Sequence, residues 1–370
     1  MRGQRVVAAQ MPWSGTAFGI LKVSCGFAHD PVGRGGLAHF AEHLIAAGIQ
    51  RNFGLRPNAV TDSLFTTFTL SVPGRDARRM CAAVASALGT LNASDEVMEA
   101  ERQAILIETA KLEDHPMARL APAAAGRSFP GCANFLTDRS HRAAIASISR
   151  REVQDFVDSI YSSSGWSLTI VSPQGVDETL HFVEEALAGV TLRARQAPPT
   201  GGRGVNVDLS GLPEVHLLAM RIAGGDPAAR KITEQLLVGR GGLVDDASAG
   251  AGARPIGLAK LRCIAAEVVV AAWPRSDRIA SGLAAAKKLF SEDESHIDAA
   301  RRRYLDAVAY DTQTPARMAS LLAAYAVGGG PWPDLTEIGA TRPLDVQVAV
   351  RDAIKSASVW SISDGTMTRE

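Results

Sequence analysis

The stretch from Gly35 to Leu44 reads GGLAHFAEHL and contains the pattern His-x-x-Glu-His. Through this stretch and just beyond it, apolar residues recur at the spacing of one face of an α-helix. These residues are Leu37, Phe40, Ala41, Leu44, Ile45 and Gly48. The spacing predicts a helix over residues 37–48 that packs this face against a core. His39, Glu42 and His43 would share a second, adjacent face.

The three polar residues of this second face have the chemistry of a zinc peptidase site. Two imidazoles four residues apart lie about one helical turn from each other, so His39 and His43 can hold one small cation between them. Glu42 need not bind that cation and can act as a base. The order His-x-x-Glu-His is the inverted form of the zinc-peptidase motif. The alternative is an ordinary helix that carries two histidines.

A second predicted helix carries two candidate carboxylates. It begins near Ser94, which is a good N-cap residue, and continues through residue 108. Its inward face is predicted to include Val97, Ala104, Ile105 and Leu112. Glu101 and Glu108 fall on that face two turns apart, and a buried carboxylate without a partner costs several kcal/mol. The pair therefore indicates a cation or histidines nearby, unless both side chains are partly exposed.

Taken in order, these segments resemble the M16 family of zinc metallopeptidases, which includes pitrilysin, insulin-degrading enzyme and the mitochondrial processing peptidase. Before the motif, the strand-like run 18–26 and the Asp-Pro pair at 30–31 are similar to the family's strand and acidic turn. After it, Asn-Ala-Val-Thr at residues 58–61 is similar to the family's Asn-Ala-x-Thr edge strand. The Glu-x6-Glu spacing of the second helix also matches. These motifs all lie within about the first 110 residues, and beyond them the resemblance is one of general layout. By its size, the chain resembles a short member of the family that corresponds to one half of the large single-chain members.

The resemblance implies a role for each polar residue of the two helices and of the edge strand. The implied site consists of the zinc ligands His39, His43 and Glu108, the catalytic Glu42 and Glu101, and the substrate-binding Asn58, Ala59 and Thr61. Glu42 would be the base and Glu101 a supporting carboxylate, with water as the fourth ligand of the Zn2+ ion. Main-chain pairing along the edge strand would bind extended peptides of many sequences. The implied activity is that of a zinc-dependent endopeptidase.

The resemblance and the layout of the chain predict an α+β fold of two related domains. Each domain would contain an antiparallel-rich sheet with helices packed on one face, and together they would form half of an M16-like clamshell. Residues 193–206, which contain Ala-Pro-Pro-Thr-Gly-Gly, read as a linker. The linker would join a zinc-binding catalytic domain, residues 1–192, to a second domain without the metal motif, residues 207–370. An Asp-Pro turn followed by a predicted helix occurs in both halves and supports their relationship.

The second half departs from the family pattern in its substrate-binding residues. Many members carry there an arginine and, seven residues later, a tyrosine in a Gly-Leu-Ala-Tyr context. Here residues 257–260 read Gly-Leu-Ala-Lys, and Arg254 is one step out of register. A second M16-like subunit that supplies the missing pair would complete the site, so the catalytic subunit of a heterodimer is the leading prediction. A homodimer that uses Arg254 and Lys260 is its rival, and a non-catalytic scaffold or binding subunit is the alternative from another class.

The composition argues against several other classes of function. The 370 residues carry 39 basic and 39 acidic side chains, so the formal net charge is zero and nothing favours nucleic acid or an anionic membrane as a partner. No apolar run is long enough to span a bilayer, and the N-terminus lacks the apolar core of a signal peptide, so a cytoplasmic location is expected. The four cysteines are scattered without a Cys-x-x-Cys pair, which argues against a thiolate zinc site.

Overall fold

Each of the two units of this chain is assembled from segments that are distant in sequence. The first comprises Met1–Ala110, Ser140–Thr200 and Val308–Trp332, and the second comprises Lys111–Arg139, Gly201–Ala307 and Pro333–Glu370. The computed structural model describes residues 4–31, 33–89, 91, 93–129, 139–161, 165–188, 190, 209–223, 226–238, 257–263, 266–275, 277, 279–280, 283, 295–328 and 340–370.

The first unit is built on a five-stranded sheet. Its strands are β1 (Gln4–Gln10), β2 (Thr16–Val23), β3 (Asn58–Thr61), β4 (Thr66–Pro73) and β5 (Trp166–Ser172). Their order is β1-β5-β2-β4-β3, and neighbours are antiparallel except for the parallel pair of β1 and β5. The interior strand β5 is buried along its whole length, as expected for a strand covered on both faces, whereas β3 is a terminal strand of the sheet.

Helices account for most of the remaining described residues. In chain order they are α1 (Leu37–Phe53), α2 (Ala77–Ser86), α3 (Asp95–Glu113), α4 (Pro116–Ser128), α5 (Arg139–Ser147), α6 (Arg150–Phe156), α7 (Val176–Leu187), α8 (Pro227–Val238), α9 (Ser295–Asp311), α10 (Pro315–Gly328) and α11 (Pro343–Lys355). Single turns of 3-10 helix occur at Phe27–His29 and Gly74–Asp76, and a π-helical turn at Val157–Tyr161 follows α6.

In the first unit, α1 and α2 pack on one face of the sheet and α10 packs on the other. The face toward α1 forms one large core, in which Phe40 and Leu44 of the helix join Phe68 of β4. On the opposite face, Leu322 of α10 packs in a separate cluster with Ile20 of β2. Both faces of the sheet are therefore covered, which accounts for the full burial of β5 although serine and threonine occur among its apolar residues.

The second unit repeats this plan with a fully antiparallel sheet. Its strands are β6 (Val215–Ala223), β7 (Gly257–Cys263), β8 (Ala266–Trp273), β9 (Ser358–Ser363) and β10 (Thr366–Arg369), in the order β10-β9-β6-β8-β7. Helix α4 packs its Leu120 and Ala124 in one core with Leu217 and Val268 of the sheet. Helix α11 packs against β6 and α8.

The two sheets thus each receive one helix from the other half of the chain. Helix α10 lies in the second half of the sequence but packs on the first sheet. Helix α4 lies in the first half of the sequence but packs on the second sheet. The predicted division into residues 1–192 and 207–370 did not include this exchange. The predicted linker, residues 193–206, lies outside the described residues and stays a prediction.

The predicted α+β class with two related sheet units is confirmed. Helix α1 is longer than the predicted span of residues 37–48, because it continues through Gly48 and ends at Phe53, where Gly54 adopts the left-handed conformation with φ of 61°. A glycine inside a helix costs about 1 kcal/mol relative to alanine, which a well-packed helix tolerates. Within the described part of the chain, no helix combines the length and the apolar character needed to cross a bilayer.

Candidate metal centre

The start of α1 is fixed by a carboxylate that binds its first backbone amides. Asp30 Oδ2 accepts a hydrogen bond from the Gly36 N–H at 2.6 Å, and Asp30 Oδ1 accepts one from the Ala38 N–H at 2.8 Å. These amides lack partners within the helix, and the negative charge of a carboxylate interacts favourably with the positive N-terminal end of the helix dipole. The contacts fix the first turn of α1, and His39 is the next residue along the chain.

Gly36 is required at this position for two reasons. Its φ of 98° lies in a region that residues with a side chain rarely adopt. A Cβ atom there would also lie 2.7 Å from Cγ1 of Ile145, which is fully buried. The chain can therefore turn sharply into α1 and pack closely at the same point only with glycine.

The two histidines of α1 lie on consecutive turns of the helix with their rings in contact. The ring centroids of His39 and His43 are 4.8 Å apart, at an interplanar angle of 76°. His39 is almost fully buried and its ring also meets the edge of Phe27, whereas the His43 side chain is 17% exposed. Packing on neighbouring aromatic groups restricts both rings to one orientation.

Two carboxylates of α3 approach these rings from the neighbouring helix. Glu101 Oε2 lies 2.8 Å from Nδ1 of His43, which is a hydrogen bond. Glu108 Oε2 lies 3.7 Å from Nε2 of His39 and 3.4 Å from Nε2 of His43. Both Nε2 atoms therefore face a single carboxylate oxygen, while the second ring nitrogen of His43 is held by Glu101.

The distances from the Glu108 oxygen to the two histidine nitrogens suit a tetrahedral zinc ion. Zinc binds histidine nitrogen and carboxylate oxygen at about 2.0–2.2 Å, so two ligands of one tetrahedral ion lie about 3.3–3.6 Å apart. The distances from Glu108 to His39 and His43 agree with this value to within a few tenths of an ångström. The carboxylate of Glu101 on the far nitrogen of His43 is the arrangement that commonly orients a histidine ligand. The Glu108 side chain is 52% exposed, which leaves solvent access to the site.

Glu42 completes the cluster and is buried beside the histidines. His39, Glu42 and His43 each offer one ligand atom, and these atoms lie within 4.8 Å of one another. Burial raises the pKa of Glu42, and hydrogen bonds from Thr61 and the charge of His43 offset part of that rise, which leaves the pKa at about 7. The hydroxyl of Thr61 donates to Glu42 Oε2 at 2.7 Å. A carboxyl with such a pKa can both accept and release a proton near neutrality.

The charge of His43 is governed by the carboxylates around it. Burial alone lowers the pKa of His43, but its hydrogen bonds to Glu101 and Glu108 and the charge of Glu42 outweigh burial and raise the pKa to about 9. The surrounding carboxylates thus favour the protonated, positively charged form of His43. A divalent cation can supply the same balance, and histidine must lose its proton to bind a metal.

The predicted substrate-binding residues lie on the terminal strand β3, next to α1. Across the turn after this strand, the Asp62 N–H donates to the Phe65 carbonyl at 2.8 Å. Asp62 and Phe65 thus form a hydrogen-bonded pair, and hydrogen-bonded and non-hydrogen-bonded pairs alternate along antiparallel strands. Counting back along β3, Thr61 and Ala59 occupy non-hydrogen-bonded pairs with β4. Their backbone N–H and C=O groups therefore point to the outer edge of β3, with which no other described strand pairs.

The side chains of β3 differ in their exposure. Asn58 is exposed, Ala59 is half-buried and Thr61 is buried. Sequence reasoning did not identify the hydrogen bond between Thr61 and Glu42, since the resemblance pointed to substrate for this residue. It likewise noted Asp30 only as part of an acidic turn. The only indication in the sequence was that Asp30 and Thr61 are polar residues close to an apolar helix. Hydrophobic periodicity does not show which partner a polar residue binds.

In the second unit, the ammonium group of Lys260 is held by a neighbouring helix. Lys260 Nζ lies 2.6 Å from Oε1 of Glu234 on α8, and Lys231 Nζ lies 3.1 Å from the other carboxylate oxygen. Although burial opposes ionisation of Glu234, the charges of both lysines hold its pKa below the usual range. Arg254, the other residue considered for a modified clamp, lies outside the described residues.

The fold matches solved structures of M16-like peptidases. It matches a protease from Helicobacter pylori with a TM-score of 0.71 and 14% identity, over 97% of this chain and 97% of that one. It matches an inactive domain of peptidase M16 from Pseudomonas fluorescens with a TM-score of 0.75 and 12% identity, over 97% of this chain and 95% of that one. The first half of the periplasmic protease PqqL from Escherichia coli matches with a TM-score of 0.68 and 15% identity, over 97% of this chain and 89% of that one.

These comparisons concern the fold. The whole PqqL protease is matched over 46% of its length, so this chain corresponds in fold to about one half of it. No protein-family profile matches the sequence, and no curated protein matches it either. The chain therefore has the fold of M16-like peptidases, a group that includes an inactive domain among these matches.

Elemental analysis of the purified chain tests the metal centre. We expect about one zinc per chain in the wild type and loss of most of it in Glu108→Gln, because a neutral amide is a poor zinc ligand compared with a carboxylate. Glu96→Gln is the matched control, since Glu96 lies on the same helix with an exposed side chain. A wild type that takes up no zinc, even after addition of the metal, would contradict the assignment.

A second test concerns the carboxylate that starts α1. Asp30→Ala leaves two backbone N–H groups without this acceptor, so we expect the free energy of unfolding to fall by about 1–3 kcal/mol in urea denaturation. Asp76→Ala is the control, because Asp76 precedes α2 without a side-chain hydrogen bond to that helix. The control should change the free energy by no more than about 0.5 kcal/mol. Equal effects of the two substitutions would refute the role given to Asp30.

Proposed function

We propose that this chain is a zinc endopeptidase subunit of the M16 family. The observation that carries the proposal is the approach of His39 Nε2 and His43 Nε2 to one oxygen of Glu108, at distances that suit a shared zinc ion. Glu42 lies beside these ligands with a pKa of about 7, raised mainly by burial. An open zinc site with an adjacent carboxyl is the arrangement that hydrolyses peptide bonds in metallopeptidases.

Each residue of the candidate site has a separate role in the proposed reaction. His39, His43 and Glu108 would hold the ion, which when bound polarises a carbonyl and makes water more acidic. Glu42 takes a proton from the attacking water and delivers it to the nitrogen of the leaving amine. Glu101 holds the ring of His43 in the orientation that presents Nε2 to the metal.

The proposed substrate is a peptide in an extended conformation. The backbone groups of Ala59 point to the outer edge of β3, where an added strand can form main-chain hydrogen bonds. Asn58 and Ala59 flank this edge with partly accessible side chains and are proposed to contact the substrate. Main-chain pairing places few demands on substrate sequence, so we expect several cleavage sites in an unfolded polypeptide.

We propose that a second M16-like subunit completes the site. Lys260, which stands where many members have tyrosine, already binds Glu234 and is poorly placed to serve as a substrate clamp. The match to one half of PqqL supports an assembly of two such halves. The rival arrangement is a homodimer in which Arg254 and Lys260 contact the substrate.

The alternative function is that of a non-catalytic scaffold, which the match to an inactive M16 domain favours. A scaffold, however, has no evident need for two histidines and three carboxylates arranged in this way.

We retain the cytoplasmic location as a prediction. Because one matched protease is periplasmic, fractionation of the source cells is the appropriate measurement.

Substitution of the proposed base tests the catalytic role. Glu42→Gln should retain zinc, because Glu42 is not one of the three proposed ligands, and should lower kcat for peptide cleavage by about 10²–10⁴-fold. Glu96→Gln serves again as the control and should cleave at the rate of the wild type. Full activity in zinc-loaded Glu42→Gln would show that Glu42 is not the base.

The source of the substrate clamp is tested at Lys260. Lys260→Met removes one of the two lysines that pair with Glu234, so we expect a loss of stability of about 1 kcal/mol or less and unchanged kcat/KM in the assembled enzyme. Thermal denaturation and steady-state kinetics measure the two effects. A fall of tenfold or more in kcat/KM at unchanged stability would instead support the homodimer in which Lys260 contacts the substrate.

A further inference from the structure

The hydroxyl of Thr61 is directed at the candidate base. Thr61 is buried, with 7% of its surface exposed, and its Oγ1 donates to Glu42 Oε2 at 2.7 Å. Glu42 is itself 5% exposed, so this hydrogen bond is shielded from water. A charge-assisted hydrogen bond in such surroundings is stronger than the same contact at the surface. Thr61 therefore restrains the carboxylate directly.

A second buried hydroxyl lies beside the first on the neighbouring strand. Thr66 lies directly opposite Thr61 on β4, and the two Oγ1 atoms are 3.2 Å apart. Thr66 Oγ1 donates its own hydrogen to the carbonyl of Cys25 at 2.7 Å. Because each hydroxyl has one hydrogen, the Thr61 hydrogen goes to Glu42 and the Thr66 hydrogen to the backbone, and the two oxygens are in contact without a hydrogen between them. Each hydroxyl is thus oriented by its own acceptor.

The backbone groups of Thr61 face the outer edge of β3, because the alternation along the strand turns its N–H away from β4. The hydroxyl is the donor of Thr61 that reaches the carboxylate of Glu42. The backbone groups of Ala59, two residues earlier, face the same outer edge. The strand therefore combines an edge that can pair with a peptide and a side chain that holds the base.

We propose that Thr61 is a positioning residue that holds the carboxylate of Glu42 in its reactive orientation, and that it does not bind the substrate. The inference rests on the proposed function, since it assigns Thr61 a part in the same reaction. It also replaces the substrate-binding role that the family resemblance implied for this residue. The strand on which a peptide docks is then the strand that orients the base.

Isosteric replacement of Thr61 separates these roles. Thr61→Val preserves shape but removes the hydroxyl donor, so we expect kcat to fall by about 10- to 100-fold, the effect of misplacing a catalytic group by about 1 Å. KM and zinc content should stay at the wild-type values. Thr61→Ser retains the hydroxyl and should recover most of kcat. Thr67→Val is the control, because the side chain of Thr67 lies on the opposite face of the sheet from that of Thr66.

The measurements use the assembled enzyme, zinc analysis and an internally quenched peptide that the wild type cleaves. A crystal structure of Thr61→Val provides a readout independent of activity, and should show the Glu42 carboxylate rotated from its wild-type position. If the valine variant does not retain zinc or does not fold, Thr61→Ala compared with Thr61→Ser gives the same contrast.

The possible results distinguish the inference from the proposed function. Unchanged kcat in a folded, zinc-loaded variant without the hydroxyl would overturn the inference alone, as would a rise in KM at constant kcat. Failure of Thr61→Ser to recover activity would also count against it. An assembled, zinc-loaded wild-type enzyme that cleaves no peptide from a random library would overturn both the proposed function and the inference.

Discussion

Burial of one face of α1 is the constraint on which the candidate site depends. Phe40 and Leu44 pack in the core of the first unit, and the histidines and Glu42 lie on the adjoining surface of the same helix. Protein cores are packed as densely as organic crystals, so a helix held in this way cannot slide or rotate freely. The positions of the polar side chains follow from the packing of the apolar ones.

The site concentrates groups that are unfavourable in the interior of a protein. Glu42 and His39 are almost fully buried, and two carboxylates of α3 face the histidines. Such clusters break the rule that charges stay at the surface, and natural proteins break it chiefly at functional sites. The stability of the unit must therefore come from elsewhere, and the extensive apolar core beneath α1 supplies it.

Sequence periodicity predicted the helices of the site but not how deeply their residues are buried. The pattern around the motif correctly placed the apolar face of α1, and the two-turn spacing brought Glu101 and Glu108 to the histidines. The inward face predicted for α3 was only partly right, because Ile105 is fully buried whereas Ala104 and Glu108 are exposed. An apolar stripe defines a direction around a helix, but the depth of burial depends on neighbours that are distant in sequence.

Two features that the sequence did not indicate also depend on contacts between residues that are distant in sequence. The bond between Thr61 and Glu42 depends on how β3 lies against α1, which no local pattern encodes. The exchange of α4 and α10 depends on which sheet each apolar helix covers, and both sheets offer apolar surfaces. Linear patterns identified the elements, and the pairing of the elements had to come from the three-dimensional structure.

The position of α10 has a consequence for synthesis of the protein in the cell. The last strand of the first sheet ends about 140 residues before α10 begins. Ribosomes add about 5–20 residues per second, so one apolar face of that sheet stays without its covering helix for roughly 7–30 seconds after the strands have emerged. The first unit therefore cannot be completed strictly from the N-terminus onward. During this interval the nascent chain exposes an apolar surface that a chaperone can protect.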